Sequence, residues 1–272
     1  RDSNKIGQVA YNLKGIATVT RQKYLTASEK GPWANSYDRW RNDNLTNRYQ
    51  GVQFGYTSAG RYTSWNDIWS YPGYKERDIL PGDYKYEDWN GDGEINGQDE
   101  HPFAFDQTPW LQFSLNAGLQ WKNFDFNMLL QGSALGSMEY KEPLHEIWGK
   151  NGGGALTQFL DRWHPVDPKA DPYDPSTVWT SGHYAYTGRW AKNNSAFNRV
   201  STAYLRLKSI ELGYTFPKLK QIPNASLRIY ANAYNLLTFT GVKFVDPEHP
   251  DDDLGRMYPL NKTYTLGVSL SF

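Results

Sequence analysis

From Leu111 to Trp121 apolar and polar residues alternate without a break: Leu111, Phe113, Leu115, Ala117, Leu119 and Trp121 on one parity, Gln112, Ser114, Asn116, Gly118 and Gln120 on the other. A period of two puts each set on its own face of a β-strand. Lys122–Asn123 then predicts a tight turn, after which Phe126, Met128 and Leu130 alternate with Asp125, Asn127 and Gln131, Leu129 breaking the series. The two runs predict a hairpin. Further strands are expected over Ala203–Phe216, Ala225–Tyr234 and Tyr264–Phe272. In the first of these the apolar parity shifts from Leu205 and Leu207 to Ile210, Leu212, Tyr214 and Phe216, which predicts a bulge near Ser209. At the other end Gln8–Leu13 and Ile16–Leu25 flank Lys14–Gly15 and predict another hairpin.

The connections constrain the architecture further. Lys14–Gly15, Lys122–Asn123 and Pro217–Asn224 are short, whereas 26–109, 136–202 and 238–262 are long, and the two kinds alternate strictly along the chain. A sandwich has no reason to gather every long loop at one end. An outer-membrane β-barrel does: brief periplasmic turns, long extracellular loops, and strands apolar toward lipid and polar toward the lumen. Strands of about 9–11 tilted residues span the bilayer, which matches the candidates. Bacterial barrels have even strand counts from about 8 upward, so seven strands predict part of a barrel, a C-terminal fragment of a longer chain.

Composition agrees. No apolar run exceeds three residues (Met128–Leu129–Leu130 is one), so no transmembrane helix is encoded. Mean hydropathy is −0.74, yet the chain holds 11 Trp, 20 Tyr and 12 Phe, too aromatic for disorder. The 29 basic and 29 acidic residues cancel, giving no case for nucleic acid, and the absence of cysteine excludes disulfides and thiol chemistry.

The sharpest local motif is Asp88-Trp-Asn90-Gly-Asp92-Gly93-Glu94-Ile-Asn-Gly-Gln-Asp99. Its oxygen positions follow a calcium loop: Asp88, Asn90, Asp92 and Asp99 through side chains, Glu94 through its carbonyl, with Gly93 at the sharp turn. Asp stands where the longer Glu is usual, and Leu80-Pro81-Gly82-Asp83 precedes it in place of a helix. The expectation is a structural calcium clip on a surface loop, against an ion-free Asx turn. Asp161-Arg-Trp-His-Pro165 with Asp167, Asp171 and Asp174, each followed closely by Pro, predicts a rigid loop and no catalytic carboxylate pair. The five His residues show no zinc spacing, and Gly152–Gly154 reads as a flexible turn. Trp110 and Trp121 bracket a strand as an aromatic girdle would. The other Trp residues fall in loops, where indoles pack small local cores or stack on sugar rings.

Several stretches in order resemble the SusC/RagA-type TonB-dependent transporters of the Bacteroidetes outer membrane. They are Asn35–Asn42, Pro81–Gly93, Phe159–Pro168, Tyr204-Leu-Arg-Leu-Lys-Ser-Ile-Glu-Leu-Gly-Tyr214, Tyr234-Asn-Leu-Leu237, Asp246-Pro-Glu-His-Pro250, Tyr258-Pro259 and Tyr264–Phe272. The resemblance implies an all-β fold, the C-terminal part of a transmembrane barrel of about 22 antiparallel strands whose plug and N-terminal strands are absent here. It implies a SusD-like surface lipoprotein as lid, a TonB complex as energy source, dimers of transporter–lipoprotein pairs, and residence in the outer-membrane lipid of a Gram-negative cell. Phe272 resembles the terminal aromatic read by barrel-insertion machinery. No catalytic residues are expected. The substrate implied is an oligosaccharide, with a peptide-importing member as alternative; a secreted β-rich carbohydrate-binding module and a glycan-degrading enzyme are the readings from other classes.

Overall fold

A computed structural model describes residues 2–27, 31–41, 45–72, 78–141, 144–145, 147, 156–187, 191, 194–216, 225–249 and 256–272. Seven strands form one sheet: β1 (Asp2–Ile6), β2 (Val9–Val19), β3 (Leu111–Trp121), β4 (Phe124–Ala134), β5 (Tyr204–Phe216), β6 (Ser226–Thr240) and β7 (Thr263–Ser271). Their order in space is their order in the chain, and every neighbouring pair is antiparallel. The 111–121 and 263–271 strands therefore belong to one sheet, with three strands between them, which rules out a sandwich of two facing sheets for these strands.

The registers align the alternation across the sheet. On one face Tyr11, Leu119, Phe126, Leu212, Ala231 and Leu266 form a row, and Leu13, Ala117, Met128, Ile210, Ala233 and Tyr264 another. Mid-sheet side chains in these rows stay open to the surroundings, Leu119 at 44% and Leu212 at 54% exposed. An unbroken apolar face of this extent needs a non-aqueous neighbour. The opposite face carries rows such as Asn12, Gly118, Asn127, Glu211, Asn232 and Thr265. The edge strand β1 departs from this, with Asp2 and Asn4 on the apolar side opposite Leu13 and Tyr11.

The predicted bulge is present: pairing of β5 with both neighbours shifts between Leu207 and Ser209. On the β6 side two residues are also skipped, and Asn235 there takes φ +54°, a left-handed conformation that Asn tolerates. The predicted N-terminal turn is corrected. The first hairpin turns at Gly7–Gln8, and Lys14 and Gly15 sit inside β2 opposite Asn116 and Leu115. Gly7 supplies the φ of +61° that a two-residue turn demands, and Lys14 simply belongs to the polar parity. Residues 20–25 leave the sheet, Tyr24 pairing instead with Arg48 and Asn47. The Lys122–Asn123 turn is present between β3 and β4. Pro217–Asn224 and Gly152–Gly154 lie outside the described residues.

The turns after β1 and β3 and the C-terminal end of β5 lie at one end, and the strand ends that open and close the three long connections, 20–110, 135–203 and 241–262, at the other. The long loops fold together. Tyr56, Tyr86 and Ile95 form a core joined by Tyr71, Tyr84 and Phe197 of two different loops. Tyr56 bridges Ser195, donating its N–H to the Asn194 carbonyl at 3.0 Å and accepting from the Ala196 N–H at 2.9 Å. The third loop joins through Tyr140, whose hydroxyl donates to the Lys243 carbonyl at 3.0 Å, and through the Gln107 amide on the His249 carbonyl. The loops thus form a crown over the sheet's loop end.

Candidate functional site

The polar face of the sheet is the surface on which chemistry can be read. Near the turn end Arg228 forks onto Asp125 at 2.5 and 3.1 Å and reaches Glu211 at 2.6 Å. This cluster ties β4, β5 and β6 across one face by bidentate, charge-assisted bonds. The guanidinium lies over Gly213, where a side chain would collide with it, so that glycine is what lets the fork lie flat.

Toward the loop end the same face opens into a concavity of about 680 Å³, lined by Gln112, Ser114, Gln131 and Ser133 from β3 and β4, Tyr204 from β5 and Glu248 from the third loop. Ile16, Phe113, Leu129 and Pro247 add apolar surface beside these amides and hydroxyls. Gln131 donates to the Tyr204 hydroxyl at 3.3 Å. Among the described lining residues Glu248 is the one charged group, and Arg206 already holds it at 2.5 Å. The floor therefore offers neutral hydrogen-bonding groups, suited to a polar, uncharged ligand.

Arg206 sets the rim. It is fully buried, binds Asp246 and Glu248 at 2.5 Å each, and donates through Nε to the Thr238 hydroxyl at 3.0 Å. Pro247 and Glu248 line the concavity because this guanidinium holds their loop against the wall. Residue-by-residue reading of the sequence missed Arg206; the signals were an arginine on the polar parity of a strand and the Asp246-Pro-Glu segment.

The Asp88–Asp99 loop is folded and its oxygens are busy. Asp88 accepts from the N–H groups of Gly91 and Gly93 at 2.8 Å and of Asp92 at 3.2 Å. Asn90 accepts from the Asp92 N–H at 3.0 Å, and Asp92 from the Glu94 N–H at 2.8 Å. Asp99 is completely buried, its carboxylate accepting from Trp89, Asn90 and Asn96. Gly91 and Gly93 take φ of +71° and +83°, which closes the loop tightly. The donor set is all oxygen, as a hard cation requires, and Asp88, Asn90 and Asp92 share one small ring of hydrogen bonds. Asp99 faces into a capping box instead. Among the described residues no three acidic or His side chains converge as a metal cluster.

Asp167, Asp171 and Asp174 each cap a backbone N–H two residues on, at 2.8–2.9 Å, the Asx turns of a rigid loop. Trp121 does join an aromatic row, stacked on Phe124 at 6.1 Å, with Phe124 against Tyr214 at 4.7 Å. Trp110 packs instead under the crown, 3.9 Å from Phe105 and with Arg21 4.4 Å above its ring. Of the loop indoles, Trp89 stacks on His101 at 3.7 Å, Trp65 lies 5.9 Å from Trp69, and Trp179 meets Tyr186 at 5.4 Å; Trp148 and Trp190 lie outside the described residues. Within the crown, burial pushes the Arg61 guanidinium below its ordinary value, while the Lys85 ammonium, 2.6 Å from Asp67, holds that carboxyl below the usual range.

No protein-family model matches the chain. Among curated proteins it is 28% identical over 211 residues to TonB-dependent receptor P3 of Formosa agariphila, covering 72% of this chain and 19% of the relative. It is 25% identical over 210 residues to TonB-dependent receptor SusC of Bacteroides thetaiotaomicron, covering 76% and 19%. The chain thus spans about a fifth of the length of the curated relatives it matches. Among solved structures, a chain of the RagAB peptide transporter superposes with a TM-score of 0.59 at 17% identity, covering 99% of this chain and 28% of that one. The "closed-closed" RagAB peptide importer gives 0.61 at 16% identity. These likenesses show the fold: part of a transporter barrel.

Proposed function

We propose, from the premise that this chain is homologous to SusC-type TonB-dependent receptors and folds as part of their barrel, that it forms the C-terminal wall and loop crown of an outer-membrane importer. The single observation that carries this reading is the two-faced sheet. Its apolar rows fit lipid, its polar rows fit a lumen, and all its long loops rise at one end. The turn end faces the periplasm and the crown faces outward. A SusD-like lipoprotein closes over the crown, the TonB complex supplies the energy through other parts of the protein, and two transporter–lipoprotein pairs assemble together. The chain performs no catalysis in this scheme.

The cargo we infer is an oligosaccharide. Support comes from the neutral amide and hydroxyl lining of the concavity and from the indoles of the crown. A peptide cargo is the second reading, because the RagAB neighbours are a peptide transporter by name. Uptake separates them. Cells carrying the complete transporter should accumulate labelled neutral oligosaccharides and lose that ability when its gene is deleted, and a lipoprotein should copurify with the barrel. Peptide uptake lost in place of glycan uptake would reverse the substrate; a soluble, partnerless 31.3 kDa product in the native cell would end the transporter reading.

The calcium clip remains a proposal for Asp88, Asn90, Asp92 and the Glu94 carbonyl, with Asp99 in its capping role beneath. Millimolar calcium added to the assembled protein should slow protease cleavage within 84–100, and Asp92→Ala should abolish the protection. Cleavage indifferent to calcium assigns the loop to its own backbone hydrogen bonds alone.

A further inference from the structure

Glu248, the one charged group among the described lining residues of the polar-face concavity, is fixed from two directions. Asp246 sets its backbone: Oδ1 accepts the Glu248 N–H at 3.0 Å, and the Asp246 carbonyl takes the His249 N–H at 2.8 Å, closing a turn. Arg206 sets its side chain, donating from Nη1 to Oε2 at 2.5 Å. The guanidinium is itself immobilised. Its Nη2 is spent on Asp246 at 2.5 Å and its Nε on the Thr238 hydroxyl at 3.0 Å, and its central carbon lies 5.0 Å over the Tyr204 ring.

The charges in this cluster do not cancel. One guanidinium meets two carboxylates, so a single negative charge is left over. The Arg206 side chain is fully buried, that of Asp246 is 26% exposed and that of Glu248 44% exposed, so the surplus charge is presented mainly at Glu248, beside the concavity. A carboxylate has about four acceptor positions, and Arg206 takes one of them on Oε2. The remainder can accept charge-assisted hydrogen bonds from sugar hydroxyls, while Ile16 and Leu129 in the same lining offer apolar surface to the C–H face of a ring. A second anion brought to this place meets repulsion that a concave, partly desolvated wall screens less than open solvent does.

We propose that Glu248 is the specificity-determining residue of the concavity, accepting hydrogen bonds from neutral sugars and turning away glycans that carry uronate or sulfate groups. This rests on the reading that glycans are the cargo, and deepens it by naming the class of glycan.

The test uses the complete transporter with its lipoprotein in detergent, applied to an array of neutral oligosaccharides, the same oligosaccharides oxidised at C6 to uronates, and peptides. Wild type should bind the neutral member of a pair about tenfold tighter than its uronate at low salt, and this ratio should shrink to about threefold or less in about 0.5 M salt. Glu248→Gln keeps the length of the side chain and removes its charge. It should bring the ratio to about one at either salt by a gain in uronate binding, with neutral binding falling no more than about threefold. Glu248→Asp keeps the charge and should keep the discrimination, which separates a charge effect from loosening of the loop. A residue that only held the loop would weaken both members of a pair together and leave the ratio and its salt dependence alone; that result, or equal binding of both members by wild type, overturns the role of Glu248 while glycan import stands. Binding to peptides alone removes the glycan cargo as well, and binding to nothing on the array removes the proposal.

Discussion

Arg206 sets a charge on the polar face of the sheet at its loop end. Its guanidinium is fully buried, and two carboxylates 40 and 42 residues further on neutralise it. Removing one member of such a group leaves the others desolvated and uncompensated, which costs several kcal/mol when both partners are buried; with Glu248 half-exposed, on the order of 2–3 kcal/mol is expected. Arg206→Met should therefore free the 242–249 segment from the wall, speeding its amide hydrogen exchange by about 30-fold or more while the barrel strands keep their protection. Unchanged exchange there would mean that the loop is held by its other contacts, Tyr140 with Lys243 and Gln107 with His249. The sequence placed Arg206 on a strand but could not name its partners, because they arrive from a loop whose path only the fold sets.

At the scale of the strand, alternation was the reliable signal, since lipid and lumen impose opposite chemistry on successive residues. Where alternation failed, the failures were informative: Leu129 and the Leu207–Ser209 shift meet at one bulge, Ser209 pairing with Leu129. The first hairpin was misplaced because Lys14–Gly15 resembles a turn, while Gly7–Gln8 lies next to a weakly patterned edge strand. The face assignment makes a direct prediction. Ile210 sits mid-row on the apolar side and Asn127 on the polar side. Ile210→Lys should destabilise insertion by about 2–4 kcal/mol and lower the folded fraction seen on semi-native gels, whereas Asn127→Lys should leave it near wild type. Equal loss from both would overturn the assignment of faces.

For the whole molecule, the crown is a second folded layer built from segments far apart in sequence. Gly55 is its closest junction: a Cβ there would fall on the Asn194 carbonyl and the Phe103 ring. Gly55→Ala should part the first and second loops, raising trypsin cleavage in both about tenfold together while the barrel stays assembled. Cleavage rising in one loop alone would show that the two fold separately. This layer was visible beforehand only as an excess of Trp and Tyr in long connections, which indicates folded loops without saying which ring meets which.

Period-two alternation and the ordering of short and long connections determined the five strands from Leu111 onward, the two faces of the wall and the end from which the loops rise, whereas the Asp2–Ile6 strand was found only in the structure. Those properties follow from neighbours along the chain and from the solvent each face must meet. The fork of Arg228, the tether of Arg206 and the concavity were decided by tertiary structure, because each joins residues from separate strands or loops. Their meeting depends on register and loop path, which pairwise packing sets and local pattern does not carry.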